Sequence, residues 1–293
     1  MPLRALLRRA FVNGNRSAPL ADSWAENPPI AGGWAPRIDV SIVIPVRGAH
    51  DHLQRCFESI IRHPGRVVKT EVVVVADEAE RIDIEARWTT AVPVGDVTSG
   101  GLTVRFCPGV RFAFTDGPRG FPANVNIGVR AAIGETVVIL NSDTVVTPNW
   151  VAPLLDALDE GAVAAGPRSN NVSGVQGDFA VFPQRMSVRR LVGFCLALRR
   201  ADFLEVGGMW EGYGIGNFDD DDLCLRLAML DRGALMYIPE SFVEHAGSAS
   251  FAELPDADAT YARLMIQNRS KFVDRWGWIM TELDKWFASR GVR

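Results

Sequence analysis

The fold is decided by the stretch Val40-Ser-Ile-Val-Ile-Pro-Val46, a short apolar run that ends at a proline and a valine. Runs of this length without polar alternation are typical of strands that a parallel sheet buries on both faces. Residues 72–76 and 136–140 form two more such runs, and residues 102–107 are predicted as a further strand between them. The chain is therefore predicted to be an α/β protein with an open, mostly parallel sheet.

Helical spacing of apolar residues fills the segments between these strands. Leu53, Phe57 and Ile60 share one helical face, and residues 123–133 form a second helix that ends at Gly134. The second half is more mixed, with strands predicted at 194–198 and 234–238. Residues 261–286 are predicted to be mostly helical.

Composition excludes several classes of protein. A net charge of −4 leaves no basic footprint, so we expect no nucleic-acid partner. No run reaches the ~18 apolar residues of a membrane span. The four cysteines are far apart and lack C-x-x-C spacing, which argues against a metal cage or a disulfide framework and fits a cytoplasmic protein.

Polar residues follow three of the predicted strands, at the sheet edge where ligands bind in open α/β folds. Pro45-Val46-Arg47 follows the first strand, Asp77 the second, and Asn141-Ser142-Asp143 the strand at 136–140. An aspartate flush with a buried strand needs a cation or hydrogen-bond donors. A divalent ion held there would neutralise the phosphate groups of a bound ligand. The alternative is that Asn141 or Asp143 caps the turn into the next helix.

A second polar constellation lies in the other half of the chain. Four consecutive aspartates, 219–222, open a predicted helix behind a glycine-rich approach that includes Gly208. Carboxylates complement a helix N-terminus, which accounts for one or two of them. Four together repel one another and indicate a metal, a sugar or a proton to abstract. His245 follows the next strand and is a candidate metal ligand by position.

Taken in this order over about residues 39–250, the segments resemble the family-2 glycosyltransferases of the GT-A fold, including bacterial polysaccharide-forming members. The opening strand 40–46 is similar to the family's nucleotide-binding strand, and Leu140-Asn-Ser-Asp-Thr144 to its DxD-type signature. The segment 218–226 resembles the Glu-Asp motif that carries the catalytic base, and 120–128 the stretch that leads to the metal strand.

The resemblance implies an inverting transfer of a sugar from a UDP-, dTDP- or GDP-sugar to a hydroxyl of a saccharide or lipid-linked saccharide, with Mn²⁺ or Mg²⁺. Asp143 and His245 would then bind the metal, and Asp220 would be the catalytic base. Expected donor contacts are Pro45, Val46, Arg47, Asp77, Asn126, Asn141 and Ser142; expected acceptor contacts are Asp219, Trp210 and Gly208.

Three positions depart from the family pattern. Asn141 occupies the first DxD position, which transfers metal binding to Asp143 and His245. Asp219 replaces the usual glutamate, and Arg47 stands where an asparagine is frequent. The change at Asn141 bears on metal binding, the one at Asp219 on acceptor binding, and the one at Arg47 on the contact with the nucleobase.

The resemblance also divides the chain. Residues 1–36 are an N-terminal extension, 37–255 the glycosyltransferase domain and 256–293 a C-terminal helical segment; within the domain, 37–145 form the nucleotide-sugar half and 146–255 the acceptor half. The C-terminal segment carries Trp276, Trp278, Trp286 and Phe287 among cationic residues. Packing on its own domain or on a second subunit is the favoured interpretation, and contact with the inner face of the membrane is the alternative.

A different class of function stays open from the sequence. A nucleotide-sugar-binding subunit without catalysis would use the same fold, as would a nucleotidyltransferase. Retention of both Asp143 and Asp220 argues against the first. The lack of a glycine-rich phosphate loop after the first strand argues against the second.

Overall fold

The computed structural model describes residues 38–64, 69–91, 98–99, 102–103, 109–247, 252 and 256–292. The N-terminal extension lies outside these residues. The strands are β1 (Val40–Pro45), β2 (Thr70–Asp77), β3 (Thr98–Ser99), β4 (Leu102–Thr103), β5 (Gly109–Thr115), β6 (Thr136–Leu140), β7 (Thr144–Val146), β8 (Ala164–Arg168), β9 (Met186–Val188), β10 (Cys195–Arg199) and β11 (Leu235–His245). The helices are α1 (His50–Arg62), α2 (Arg81–Ala91), α3 (Phe121–Ala131), α4 (Ala152–Asp159), α5 (Arg200–Glu205), α6 (Asp219–Met229), α7 (Ala257–Trp276) and α8 (Met280–Ser289).

Nine of the described strands form one large sheet in the order β5-β2-β1-β6-β10-β8-β11-β7, with β9 paired to β11, and β3 and β4 form a separate two-stranded sheet. β5, β2, β1 and β6 run parallel, so their carboxyl ends meet at one edge. β10 is antiparallel to both β6 and β8, which makes the second half mixed, as predicted.

The predicted strand at 102–107 is wrong as a member of this sheet. Its described part, Leu102–Thr103, pairs only with Thr98–Ser99, and residues 104–107 lie outside the description. The parallel neighbour of β2 is β5, over Gly109–Thr115. β5 lies at the sheet edge and carries the polar Arg111, whose Nε is 2.8 Å from Glu71 Oε2. An edge strand with such alternation lacks the continuous apolar run that marks β1, β2 and β6.

The sheet separates two layers of core. On one face Ile42, Ile44 and Val74 pack with apolar residues of α1 and α4. On the other face Val43 and Val73 belong to the same cluster as α3, α6 and the C-terminal helices. The described cysteines, Cys56, Cys195 and Cys224, are free and buried, which confirms that they are core residues.

The C-terminal helices pack on the domain. Trp276, Ile279, Leu283 and Phe287 are each at least 94% buried within the second of these cores. Their burial agrees with the favoured interpretation of this segment. Within the described parts of the chain, no helix is both long enough and apolar enough to cross a bilayer.

Candidate active site

A cleft of about 580 Å³ opens at the carboxyl ends of β1, β2 and β6. The loop before α6 and the end of β11 line its other side. The end of β11 lies here because it pairs antiparallel with the short β7. Ten of the residues predicted from the sequence line it: Pro45, Val46, Arg47, Asp77, Asn141, Ser142, Asp143, Asp219, Asp220 and His245.

Asp143 and His245 face each other in this cleft. Asp143 Oδ1 lies 3.2 Å from His245 Nε2, and both side chains are about nine-tenths buried. The other ring nitrogen, Nδ1, lies 3.2 Å from the carbonyl oxygen of Asn171. A carbonyl only accepts hydrogen bonds, so Nδ1 carries a proton and donates to Asn171 O, which turns Nε2 towards the carboxylate. Two facing acceptors require a cation between them, either a proton or a metal ion.

Asn141 completes this arrangement. Its Oδ1 is buried without a hydrogen-bond partner, and its Nδ2 lies 3.5 Å from His245 Nε2, at the outer limit of a hydrogen bond. Rotating the amide by half a turn would aim Oδ1 at the same place. Helix α4 begins only at Ala152 and is preceded by Val151, so neither Asn141 nor Asp143 caps it.

The side chains of Asp143, His245 and Asn141 fit a divalent cation as ligands. A carboxylate and an amide oxygen suit Mg²⁺ or Mn²⁺, and an imidazole nitrogen favours the transition metal. Among the described residues, no three His, Cys, Asp or Glu side chains are grouped so that they could hold a metal ion, so protein atoms alone would give an incomplete shell. An ion that is completed by water or by phosphate oxygens is the kind this site would hold.

The four aspartates have separate environments. Asp222 is fully buried and points away from the cleft into the core. Its oxygens accept hydrogen bonds from Arg226 Nε at 2.6 Å, Arg275 Nε at 3.0 Å and Trp276 Nε1 at 2.8 Å. Asp222 therefore ties α6 to the end of α7 and is structural.

Asp219 and Asp220 both line the cleft. Asp219 is 4% exposed, and burial, followed by the negative charge of Asp220, raises the pKa of its carboxyl well above the ordinary value. Asp220 is only partly buried, and two backbone groups fix its carboxylate: Gly193 N donates to Oδ2 at 2.9 Å and Asp221 N to Oδ1 at 3.0 Å. The site therefore places a buried carboxyl with a raised pKa, that of Asp219, beside the oriented and partly exposed carboxylate of Asp220.

Asp221 lies at the rim of the cleft. Burial and the negative charge of Asp220 raise the pKa of Asp221 to about 6, against the attraction of Arg190, whose Nη1 is 3.2 Å from Asp221 Oδ1. The folded chain therefore binds this proton more tightly than the unfolded chain, whose aspartates titrate near ~3.9. Ionisation of Asp221 at pH values above about 6 therefore lowers the free energy of unfolding.

Asp221→Asn is expected to raise the free energy of unfolding at pH 8 by about 1–2 kcal/mol, because it removes that cost. The gain should shrink as the pH falls through 6 towards 4. Urea unfolding at pH 8 and pH 5 measures it. Asp284→Asn is the matched control, since Asp284 is an exposed carboxylate that also pairs with an arginine, Arg189. An equal gain for Asp221→Asn at both pH values would contradict this account.

Three residues predicted as ligand contacts, Asn126, Gly208 and Trp210, are not among the residues that line the cleft. Asn126 Nδ2 donates to the carbonyl of Met209 at 2.8 Å, and its Oδ1 accepts from Met209 N at 2.8 Å. A side chain at Gly208 would collide with Asn126 Oδ1. The Trp210 ring packs against Tyr213 and lies 4.0 Å from the Arg275 guanidinium. These residues hold the loop behind the cleft wall.

The sequence interpretation missed several cleft residues, among them Asn124, Arg190, Gly193, Asn217 and Tyr261. Gly193 precedes β10, which is antiparallel to β6, and an antiparallel strand begins at the edge where its neighbour ends. Recognising β10 as antiparallel would have placed Gly193 at the site. The contributions of Asn124 and Tyr261 depend on helix packing and have no comparable local signal.

The strand order of the sheet and the candidate metal ligands beyond the end of β6 place the chain in the GT-A class of α/β folds. The sequence model described as "Glycosyl transferase family 2" matches residues 41–224, which is more than half of the chain, and the protein belongs to this family. The match covers β1 to the middle of α6 and leaves α7 and α8 outside it. A comparison with curated proteins gives no match.

Solved structures share the fold at low sequence identity. Mannosyltransferase PcManGT from Pyrobaculum calidifontis, in complex with GDP-Man and Mn²⁺, is 19% identical with a TM-score of 0.55, covering 85% of this chain and 69% of that one. S. aureus TarS 1–349 with UDP-GlcNAc is 13% identical with a TM-score of 0.55, covering 74% and 62%. GalNAc-T7 with UDP, GalNAc and Mn²⁺ is 16% identical with a TM-score of 0.54; the match covers 72% of this chain but only 44% of that one.

Proposed function

We propose that the protein is a metal-dependent, inverting glycosyltransferase that moves a hexose-type sugar from a nucleotide-diphosphate sugar to an acceptor hydroxyl. One observation carries this proposal: Asp143, His245 and the unsatisfied Asn141 Oδ1 share a single cleft with the oriented carboxylate of Asp220. A cation site and a proton acceptor in one cleft are what displacement of a diphosphate by a hydroxyl requires.

The donor is a UDP-, dTDP- or GDP-sugar, in line with the UDP-GlcNAc and GDP-Man of the solved neighbours. In this proposal Pro45, Val46 and Arg47 contact the nucleotide, together with Asp77, which also accepts a hydrogen bond from Ala79 N at 3.1 Å. Residues 37–145 form the nucleotide-sugar half and 146–255 the acceptor half. Residues 1–36 and 256–293 flank them.

Asp143, His245 and Asn141 would hold Mn²⁺ or Mg²⁺. When bound, the ion supplies positive charge that offsets the negative charge developing on the leaving diphosphate. The chain's own contribution is to hold these donors at the end of β6, where Phe194 stacks on the His245 ring with centroids 5.2 Å apart. Ser142, which lies between Asn141 and Asp143 in the chain, is 95% buried.

Asp220 accepts the proton of the acceptor hydroxyl as that oxygen bonds to the anomeric carbon. The bond from this carbon to the phosphate oxygen breaks in the same displacement, and the nucleotide diphosphate leaves. Attack opposite the leaving group inverts the anomeric centre. Asp219, beside Asp220 in the cleft, contacts the acceptor in this proposal; burial raises the pKa of its carboxyl well above the ordinary value.

The acceptor is a hydroxyl of a saccharide or a lipid-linked saccharide, and the process is cell-surface polysaccharide or glycolipid assembly. Thermal unfolding of the full chain with a panel of UDP-, dTDP- and GDP-sugars, each with and without Mn²⁺, identifies the donor. A ligand at ~100 times its Kd stabilises by about 2.7 kcal/mol. The proposal expects this gain for at least one donor, and only with the metal.

His245→Ala is expected to lose activity that excess Mn²⁺ partly restores, because the remaining ligands still bind the ion, though more weakly. The measurement is the Mn²⁺ concentration at half-maximal rate, which should rise. His52→Ala is the control, since His52 on α1 contacts Arg55 and does not line the cleft. An unchanged rate and metal dependence in His245→Ala would make His245 a purely structural residue.

A further inference from the structure

Buried polar atoms without partners concentrate at the cleft. Among the described residues six buried side-chain nitrogen or oxygen atoms have no hydrogen-bond partner, and three of them belong to asparagines that line the cleft: Asn124 Oδ1, Asn141 Oδ1 and Asn217 Nδ2. Asn141 belongs to the proposed metal site. The atoms of Asn124 and Asn217 have no role within the fold, although leaving such a group unsatisfied costs stability.

Asn124 and Asn217 come from two segments that are joined directly. Asn124 is 6% exposed and lies in the first turn of α3. Phe121 N, in the same turn, donates to the carbonyl of Ile215 at 3.3 Å, and a side chain at Gly120 would collide with the carbonyl of Gly214. Asn217 follows two residues later and precedes α6, with φ 72°.

The loop that carries Asn217 is held firmly. Asn268 of α7 is fully buried, and its Nδ2 donates to the carbonyls of Tyr213 at 2.8 Å and Gly216 at 2.7 Å. The left-handed backbone at Asn217 is one that asparagine tolerates better than most residues. Asn217 therefore lines the cleft on a loop that Asn268 anchors.

We propose that Asn124 and Asn217 bind a hydroxyl group of the transferred sugar. A hydroxyl both donates and accepts, so it can donate to Asn124 Oδ1 and accept from Asn217 Nδ2, which satisfies both atoms at once. Both residues line the same cleft, one with a free acceptor and the other with a free donor. This inference rests on the proposed function and assigns residues to its substrate.

The position of the pair identifies the sugar concerned. Asn124 lies in the nucleotide-sugar half, on the helix that packs across β1 and β2. Asn217 lies in the acceptor half, two residues before Asp219. The transferred sugar is the part of the donor that must reach from the diphosphate to the acceptor, so a group bound between the two halves belongs to it. Since a site that hydrogen-bonds a hydroxyl discriminates strongly against its absence, these residues would select the sugar.

The test compares each nucleotide sugar with its own nucleotide diphosphate by calorimetry, with Mn²⁺ present. The variants are Asn124→Ala and Asn217→Gly, glycine being chosen because it keeps the left-handed backbone without strain. UDP, dTDP or GDP should bind each variant as it binds the wild type. The matching nucleotide sugar should bind about 10-fold more weakly, the loss of one neutral hydrogen bond. The double variant should lose less than the product of the two, because both contacts serve one hydroxyl.

Asn126→Ala is the matched control from the same helix. Its side chain is fully used within the fold, so it should lower the Tm without changing the sugar-dependent part of binding. Asn124→Ala should not lower the Tm through Oδ1, which loses no partner. A sugar-dependent part that is unchanged in both Asn124→Ala and Asn217→Gly would overturn the inference alone. A wild type that binds none of the nucleotides would instead remove the proposed function and this inference with it.

Discussion

Replacing Asp220 by asparagine is expected to lower the rate of sugar transfer by ~10²–10⁴-fold, the span of general-base catalysis. Asparagine keeps the shape of the side chain, and its amide oxygen still accepts one of the bonds from Gly193 N and Asp221 N. It cannot accept the acceptor's proton at neutral pH. The affinity for the nucleotide sugar, measured separately by calorimetry, should stay near that of the wild type, since the proposed nucleotide contacts lie on the other side of the cleft.

The neighbouring aspartates provide controls for this variant. Asp221→Asn changes an adjacent carboxylate that pairs with Arg190, and its rate should stay within a few-fold of wild type. Asp222 is unsuitable as a base, because Arg226, Arg275 and Trp276 enclose it in the core. An Asp220→Asn rate close to wild type would transfer the base to Asp219 or Asp221. Full activity in each of Asp219→Asn, Asp220→Asn and Asp221→Asn would show that this segment supplies no base.

Asp143→Ala is expected to abolish the metal-dependent part of nucleotide-diphosphate binding. A divalent ion contributes several kcal/mol to the stabilisation of phosphate charge, so the Kd for UDP, dTDP or GDP with Mn²⁺ should rise by about 10²–10³-fold. Without the carboxylate, His245 and Asn141 offer the ion only neutral ligands. Calorimetry with and without Mn²⁺ measures the difference.

Two comparisons guard this prediction. With a chelator present, wild type and Asp143→Ala should bind the nucleotide diphosphate equally weakly, because the carboxylate then has no ion to hold. Removing Asp143 also leaves His245 Nε2 without its partner, so the Tm of the variant is recorded to show that the fold persists. Equal affinity of the two proteins with Mn²⁺ present would contradict the assignment of Asp143 as the principal metal ligand.

Much of the side of the cleft that β1, β2 and β6 form could be predicted from local sequence. The apolar runs of β1, β2 and β6 are recognisable because both faces of these strands are buried, and the residues that follow them reach the cleft by the geometry of parallel sheets. Asp143 could be predicted as a cleft residue because it directly follows a buried strand. β5 was missed because an edge strand that carries Arg111 lacks that continuous pattern.

The other side of the cleft, which includes the start of α6, depends on contacts that no local sequence pattern predicts. The aspartates 219–222 are equivalent in sequence, yet Asp222 is structural because Arg275 and Trp276 reach it from more than 50 residues away. Asp220 is oriented by Gly193, 27 residues before it. Asn126 was predicted to bind the donor, but its position on α3 turns it towards the backbone of Met209. Which polar residue faces the cleft is decided by packing between helices.

The central claim, metal-dependent transfer from a nucleotide sugar, is tested most directly by the release of nucleotide diphosphate. The full chain is incubated with UDP-, dTDP- and GDP-sugars, with water or added saccharides as acceptors, in Mn²⁺ or in chelator. We expect release from at least one donor in Mn²⁺, its loss in chelator, and a ~10²–10⁴-fold slower release by Asp220→Asn. Release that continues unchanged in chelator, or no release from any donor by the folded wild-type protein, would contradict the claim.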